Sequence, residues 1–209
     1  MTDRFNIRLE GVGKKFYKRW LFKEIHHDFQ DNRRLALVGH NGSGKSTLIR
    51  IIAGQMAPSE GKVSYSKAGA PLSLQQAYQY ISWSGPYIDL YEDLTFPEML
   101  ELHFTFKECL LDAPQDAIEL LQLGTHSHKP LKFYSSGMMQ RAKVGLALFS
   151  KSEVLILDEP TSNMDAGNAS RMLQLVEDYL GDRIFVLASN LEREYGTFEA
   201  VRHLGASAS

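Results

Sequence analysis

The sequence predicts an α/β fold whose sheet is mostly parallel, with an antiparallel β part at the N-terminus and a helical subdomain inserted at about residues 95–150. Three observations lead there. A glycine-rich segment at 39–46 separates a short apolar run from one with helical apolar spacing. A later apolar run ends in the adjacent acids Asp158 and Glu159, and strand-like and helix-like stretches alternate between and beyond these two features. Parallel strands joined by helical crossovers require that alternation.

In chain order, FNIRLEGVGKKF alternates apolar and polar residues and reads as a half-buried strand, paired with LFKEIHHDF through a turn near Lys18 and Arg19. RRLALVG is a short, continuous apolar strand, and STLIRIIAG is a helix stopping at Gly54. APSEGKVSYS holds a turn and a short strand, and the polar stretch after it leads to a strand near YQYISW. FPEMLELHF and DAIELLQL carry the helical spacing of the inserted part. GTHSHKPLKFYSS reads as a loop and GMMQRAKVGLALF as an amphipathic helix. SEVLILDEP is a buried strand, NASRMLQLVEDYL a helix and DRIFVLASN the last clear strand, while the terminal GASAS is expected to fray.

Over 209 residues, 44% of them apolar, one domain spanning 1–209 can bury a substantial core. The net charge of −2 provides no long-range field to hold a nucleic acid or an anionic membrane, so no nucleic-acid partner is expected. The lone Cys109 cannot form an internal disulfide and reads as a packing residue. No basic-then-apolar leader opens the chain, and no apolar run approaches the ~20 residues of a spanning helix. A cytoplasmic protein is expected, sharing any transport role with a separate membrane subunit.

The segment Gly39, His40, Asn41, Gly42, Ser43, Gly44, Lys45, Ser46 fits the phosphate-loop pattern GxxxxGK[ST], between a predicted strand and a predicted helix that continues at Thr47. Glycines let the backbone curl so that successive N–H groups face phosphates, and the helix that follows offers its positive dipole end. These features predict a P-loop NTPase core in which Lys45 reaches the β- and γ-phosphates of ATP and Ser46 ligates Mg2+. Asp158 suits the Mg2+ shell, and Glu159 is placed to orient or deprotonate an attacking water. His126 and His128 lack partners at ligand spacing, so no other metal site is expected.

With both nucleotide motifs in place, the chain resembles the nucleotide-binding domain of ABC transporters through a third segment, Tyr134-Ser135-Ser136-Gly137-Met138-Met139-Gln140-Arg141. It is similar to the family's LSGGQ signature and the further Gln-Arg pair close behind it, matching at Ser135, Gly137, Gln140 and Arg141 and departing at Tyr134, Ser136 and Met138. Ser162-Asn163-Met164-Asp165 is similar to the family's SALD loop. Phe16 lies where the family stacks an aromatic residue on adenine, with Tyr17 beside it; a strand aromatic of this kind also serves as core. The resemblance, over about residues 5–195, implies a head-to-tail homodimer closing on two ATP molecules. In it Ser135, Ser136, Gly137 and Met138 of one subunit meet the γ-phosphate held by the other.

Two departures bear on catalysis. The family's glutamine after the strand entering the helical part is missing from Ile81-Ser82-Trp83-Ser84-Gly85-Pro86, and Asn190 stands where a histidine is expected. Asn190 and Asp165 are the expected γ-phosphate sensors, and an asparagine donates a hydrogen bond without carrying a proton or charge. Turnover is therefore expected to be real but slow. The aromatic-acidic stretch at 83–93, with Tyr87 and Tyr91, lies where the family receives a helix of its membrane subunit, and reads as an interface anchor or as local core. The expected function is an ATPase subunit powering a transporter from the cytoplasmic face of the membrane. Other readings are an ABC-type ATPase without a transporter and an ATP-binding switch.

Overall fold

The computed structural model describes residues 4–30, 33–198 and 200–204. Its first strands, β1 (Phe5–Phe16) and β2 (Arg19–Asp28), form the predicted antiparallel pair, turning at Tyr17 and Lys18. On the other side of β1 runs β4 (Glu60–Lys67), and β5 (Ala70–Leu72) extends it, giving the order β2-β1-β4-β5. The second sheet is parallel throughout. It takes β3 (Arg34–Val38), β6 (Ile81–Ser84), β7 (Val154–Asp158), β8 (Ile184–Ala188) and β9 (Ala200–His203) in the order β6-β7-β8-β3-β9.

Helix α1 (Lys45–Ile52) follows the glycine segment, and α2 (Leu74–Ala77) is one turn held by a Ser73/Gln76 capping box. The helical stretch contains α3 (Phe96–Phe106), started by a Thr95/Glu98 capping box, then α4 (Asp116–Leu120) and α5 (Ser136–Phe149). Beyond β7 come α6 (Ala166–Leu180) and the short α7 (Glu192–Tyr195).

Side-chain alternation along the parallel strands divides the interior in two. Leu155, Leu157, Phe185 and Leu187 face a core shared with α3, α5 and α6, whereas Val154, Ile156, Ile184 and Val186 face one shared with α1 and the antiparallel sheet. Every residue of β7 and β8 is buried, as a strand covered on both faces demands. Cys109 is half-buried against the first core, as its sequence context suggested.

Four elements, β5, α2, α7 and β9, escaped the sequence reading. β8 is not the last strand, because β9 pairs in parallel with β3. Its exposed and half-buried residues alternate along an edge, so no apolar run marks it. β5 and α2 are too short to show a period within a polar stretch. The terminal GASAS lies outside the described residues.

Arg183, just before β8, ties the helices to the sheet. Its buried guanidinium donates to Leu180 O (2.9 Å) and Tyr179 O (2.6 Å) at the end of α6, and to Leu148 O (3.0 Å) and Ser150 O (3.4 Å) at the end of α5. One cation thus satisfies carbonyls that two helix ends leave unpaired, at the negative end of both dipoles. Burial pulls its pKa down to about 10, so it stays charged at neutral pH. Arg183→Met is expected to lower stability by about 2–4 kcal/mol in urea unfolding, because several buried carbonyls lose their donor together.

A candidate nucleotide site at the carboxyl edge of the parallel sheet

The loop leaving β3 curls over residues 39–44, with positive φ at Gly39 (152°), Gly42 (80°) and Gly44 (104°). Gly44 packs so tightly under β2 that a Cβ there would lie 2.7 Å from Leu21 Cγ, so the loop seats against the antiparallel sheet only with glycine. Lys45 is buried. Its ammonium donates to Gly39 O (2.7 Å) and Asn190 Oδ1 (3.0 Å), with a longer contact to His40 O (3.4 Å). Burial lowers its pKa, against the opposing pull of Glu159 and Asp158. Asn190, at the end of β8, also donates through Nδ2 to Asn41 Oδ1 (2.9 Å). One amide therefore clasps the lysine and the rim of the loop together.

Asp158 ends β7 at 1% exposure, and neither of its oxygens has a hydrogen-bond partner of good geometry among the described residues. Burial raises its pKa, and the nearby Ser46 hydroxyl partly counters this. A buried carboxylate with free lone pairs beside a hydroxyl is the donor set a hard divalent cation takes, so Ser46 and Asp158 fit Mg2+. Glu159 follows at φ 51°, a left-handed conformation costing a non-glycine residue roughly 1–2 kcal/mol. Its backbone is pinned on both sides: the N–H donates to Ala188 O (2.8 Å), and the carbonyl accepts from Gln140 Nε2 (3.1 Å). Gln140 also reaches Pro160 O (3.3 Å), so α5 is bonded directly to the end of the acidic strand. Beyond it, Thr161 is hydrogen-bonded to the buried Glu194 of α7.

Ser135 is the N-cap of α5, accepting from Met138 N (3.2 Å), so the backbone N–H groups of Ser136 and Gly137 open a helix N-terminus. A Cβ on Gly137 would meet Asn163 O at 2.7 Å, so α5 rests directly on the loop after β7. Asp165 caps α6, accepting from Asn168 N (2.9 Å) and Asn168 Nδ2 (2.6 Å), while Arg141 reaches Asn168 Oδ1 (2.8 Å). Phe16 is half exposed at the end of β1, with Lys14 Nζ 5.4 Å from its ring centroid, and Tyr17 is fully exposed. Ser84 is buried at the end of β6, its hydroxyl without a hydrogen-bond partner among the described residues, and Gly85 next to it packs against Asp158.

The structure thus gathers Lys45, Ser46, Asp158, Glu159 and Asn190 at one edge of the sheet, and puts Ser135 and Gly137 at a separate helix start. Sequence reasoning missed the Asn41–Asn190 pairing and the work of Gln140. The Gln-Arg pair behind the signature was a signal for the latter, and nothing local signalled the former.

A phosphate loop on a parallel strand, with an acidic strand end beside it and a capped helix resting on the following loop, defines a nucleotide-binding protein of the phosphate-loop class. The ABC transporter family matches residues 22–162, and the chain belongs to that family. It is 32% identical over 161 residues to the uncharacterized ABC transporter ATP-binding protein YdbJ of Bacillus subtilis, covering 76% of this chain and 52% of that one. The cytochrome c biogenesis ATP-binding export protein CcmA of Agrobacterium fabrum is 30% identical, with 88% of each chain covered. With the mouse ATP-binding cassette sub-family A member 17 it shares 28% identity over 92% of its own length but spans only 12% of that protein. Its fold matches a putative ABC transporter ATP-binding protein from Pyrococcus furiosus at TM-score 0.79 and 19% identity, covering 95% and 97% of the two chains. A dimeric ATP-binding cassette in a post-hydrolysis state with ADP and Pi gives 0.78 at 20% identity, covering 95% of this chain and 94% of that one.

Two outcomes follow from the geometry. Asp158→Asn is expected to raise the melting temperature of the metal-free, nucleotide-free protein, since a neutral amide is cheaper to bury. The same variant should lose the extra stabilisation that Mg2+ adds to ATP, both effects being read in thermal melts with and without EDTA. Asn190→Ala is expected to tighten ADP binding about fivefold by calorimetry, because ADP no longer displaces a hydrogen bond of about 1 kcal/mol from Lys45.

Proposed function

We propose that this chain is the ATP-hydrolysing subunit of a membrane transporter, working as a head-to-tail homodimer at the cytoplasmic face of the membrane with a separate membrane-spanning subunit. The observation carrying this reading is the buried Asp158 carboxylate, without a hydrogen-bond partner of good geometry among the described residues, beside Ser46 and Lys45, with Glu159 next to it in a conformation fixed by two strand-end contacts. Among the described residues no helix is long and apolar enough to cross a membrane, which fits a division of labour with a second protein.

In this reading the loop N–H groups and Lys45 bind the phosphates of ATP, and Phe16 stacks on the adenine. Ser46 and Asp158 would hold Mg2+, which would supply charge neutralisation to the bound phosphates. Glu159 takes a proton from, or orients, the attacking water. Ser135 to Met138 of the second copy complete the site from the opposite side, where the α5 N-terminus offers N–H donors and a positive dipole end to the γ-phosphate. Asn190 and Asp165 respond to that phosphate. With Ser84 and Asn190 in place of larger or titratable groups, water positioning is looser and isolated turnover is slow. Tyr87 and Tyr91, both exposed, support the interface reading of the loop after β6 over the core reading, and that loop is the face offered to the membrane subunit.

The CcmA relative, matched along most of both chains, favours an exporter within this reading. The test is ATP turnover of the purified protein against Glu159→Gln, with dimerisation followed by light scattering. The variant is expected to lose at least about 100-fold in turnover and to accumulate as an ATP-bound dimer. Unchanged turnover in the variant would remove Glu159 from the chemistry, and ATP binding without any dimer would remove the head-to-tail site.

A further inference from the structure

Helix α7 is a single turn, too short to hold itself in place, and its N-cap Leu191 follows Asn190 directly. Leu191, Glu192 and Arg193 are exposed and Tyr195 is half-buried, so the one buried side chain of the turn is an acid, Glu194, at 7% exposure. Its Oε1 accepts from the hydroxyl of Thr161, which is itself buried and lies 33 positions earlier in the chain. Its Oε2 has no hydrogen-bond partner among the described residues. The charged groups lining the adjoining groove do not take that place: Arg34 is paired with Glu177 (3.0 Å), and Arg193 is exposed.

A leucine or methionine would be cheaper to bury here than a carboxylate with one oxygen short of a donor. What the acid adds is direction, because apolar contact is indifferent to orientation whereas a hydrogen bond weakens steeply once its angle is lost. The bond reaches the nucleotide edge from both of its ends. Thr161 lies two residues beyond Glu159, on a turn closed by Ser162 N donating to Glu159 O (3.1 Å). Glu194 N donates to Leu191 O (2.9 Å) and Leu191 N to Ser189 Oγ (2.9 Å), so α7 is bonded back to both neighbours of Asn190. Glu159 N, donating to Ala188 O (2.8 Å), completes the circuit. Asn190 therefore sits in a ring of bonds that runs from Glu159 to Ala188, through α7, and back by way of Thr161.

We propose that Glu194 is a positioning residue for ATP hydrolysis: through Thr161 and α7 it fixes Asn190 relative to Glu159 while ATP is bound. This rests on the roles given above to Glu159 and Asn190 and adds to them the group that sets their spacing. The Asn190 amide is also held by Lys45 (3.0 Å) and Asn41 (2.9 Å). When the phosphates of ATP take the Lys45 ammonium, the first of these bonds is given up, and the ring through Glu194 becomes the main restraint on Asn190. The acid therefore matters to the chemical step more than to the binding of ATP, since misplacing a group around the reacting phosphate lowers the rate without removing the contacts that hold the nucleotide.

The test is steady-state ATP turnover of the purified full chain, with urea unfolding run in parallel. Glu194→Met cuts the bond at similar volume and is expected to lower kcat at least about tenfold, while KM for ATP stays within about twofold and the unfolding midpoint does not fall. Glu194→Gln keeps an oxygen for Thr161 and should restore most of the turnover, as should Thr161→Ser in place of Thr161→Val. Thr161→Val should lose as much as Glu194→Met, and the two together no more than either alone, because the same bond is cut twice. Wild-type kcat in Glu194→Met, or losses that multiply in the double variant, overturns the positioning role and leaves the ATPase reading standing. So does a loss of turnover that tracks lost folded protein, with kcat per folded molecule unchanged. If Glu194→Met does not fold, Thr161→Val against Thr161→Ser reads the same bond, and equal kcat in the two overturns the inference. Turnover that survives Glu159→Gln removes the role of Glu159, and the inference falls with it.

Discussion

The two central strands β7 and β8 of the parallel sheet are covered on both faces and leave no room for a polar side chain before their ends, and that constraint sets the rest of this structure. β7 and β8 are buried from end to end, so polar groups gather where the strands run out. Asp158, Glu159, Ser189 and Asn190 all sit at such ends, beside the glycine loop that leaves β3. The arrangement has a cost: Asp158 is held as a buried acid with no hydrogen-bond partner of good geometry among the described residues, and Lys45 is kept from full hydration. A buried acid short of donors, beside a lysine held only by uncharged oxygens, makes this edge receptive to something carrying both signs, and a metal-bound polyphosphate does.

The parts of this edge legible in the sequence were those in which chemistry and chain conformation are local. The loop from Gly39 to Ser46 needs its glycines and its lysine within one turn of backbone, and Asp158 and Glu159 are adjacent, so each could be read from a few residues with its flanking strand. The helices that follow Thr95 and Ser135 were legible from their apolar spacing, which is also local, whereas the caps that start them went unread. What stayed hidden is joined across the fold. Asn41 and Asn190 lie 149 positions apart, Arg183 closes on the ends of two helices from outside both, and β9 is defined only by the strand it borders. No periodicity records such contacts, because the residues that make them carry no local pattern of their own.

The departures from the family pattern have a common physical sense. Ser84 is shorter than the glutamine expected in its place, and Asn190 cannot take up a proton as a histidine does. The site keeps its charged groups while giving up a longer reach and a titratable group. Asn190 can still act at both ends of its amide, accepting from Lys45 and donating to Asn41, and its state does not change across the physiological pH range.

The attachment of α5 is uneven along its length. Its C-terminal end is fastened by Arg183, which also grips α6 and leads straight into β8, whereas its N-terminal end rests on the loop after β7 through Gly137 and Gln140. Were the Gln140 bonds to Glu159 O and Pro160 O released, the helix would swing as a lever about the guanidinium. Fourteen residues at 1.5 Å each give an arm of about 21 Å, so a tilt of roughly 10° about Arg183 carries Ser135 through about 4 Å. That is enough to make or break a hydrogen bond at the tip, while the contacts at the fulcrum barely stretch.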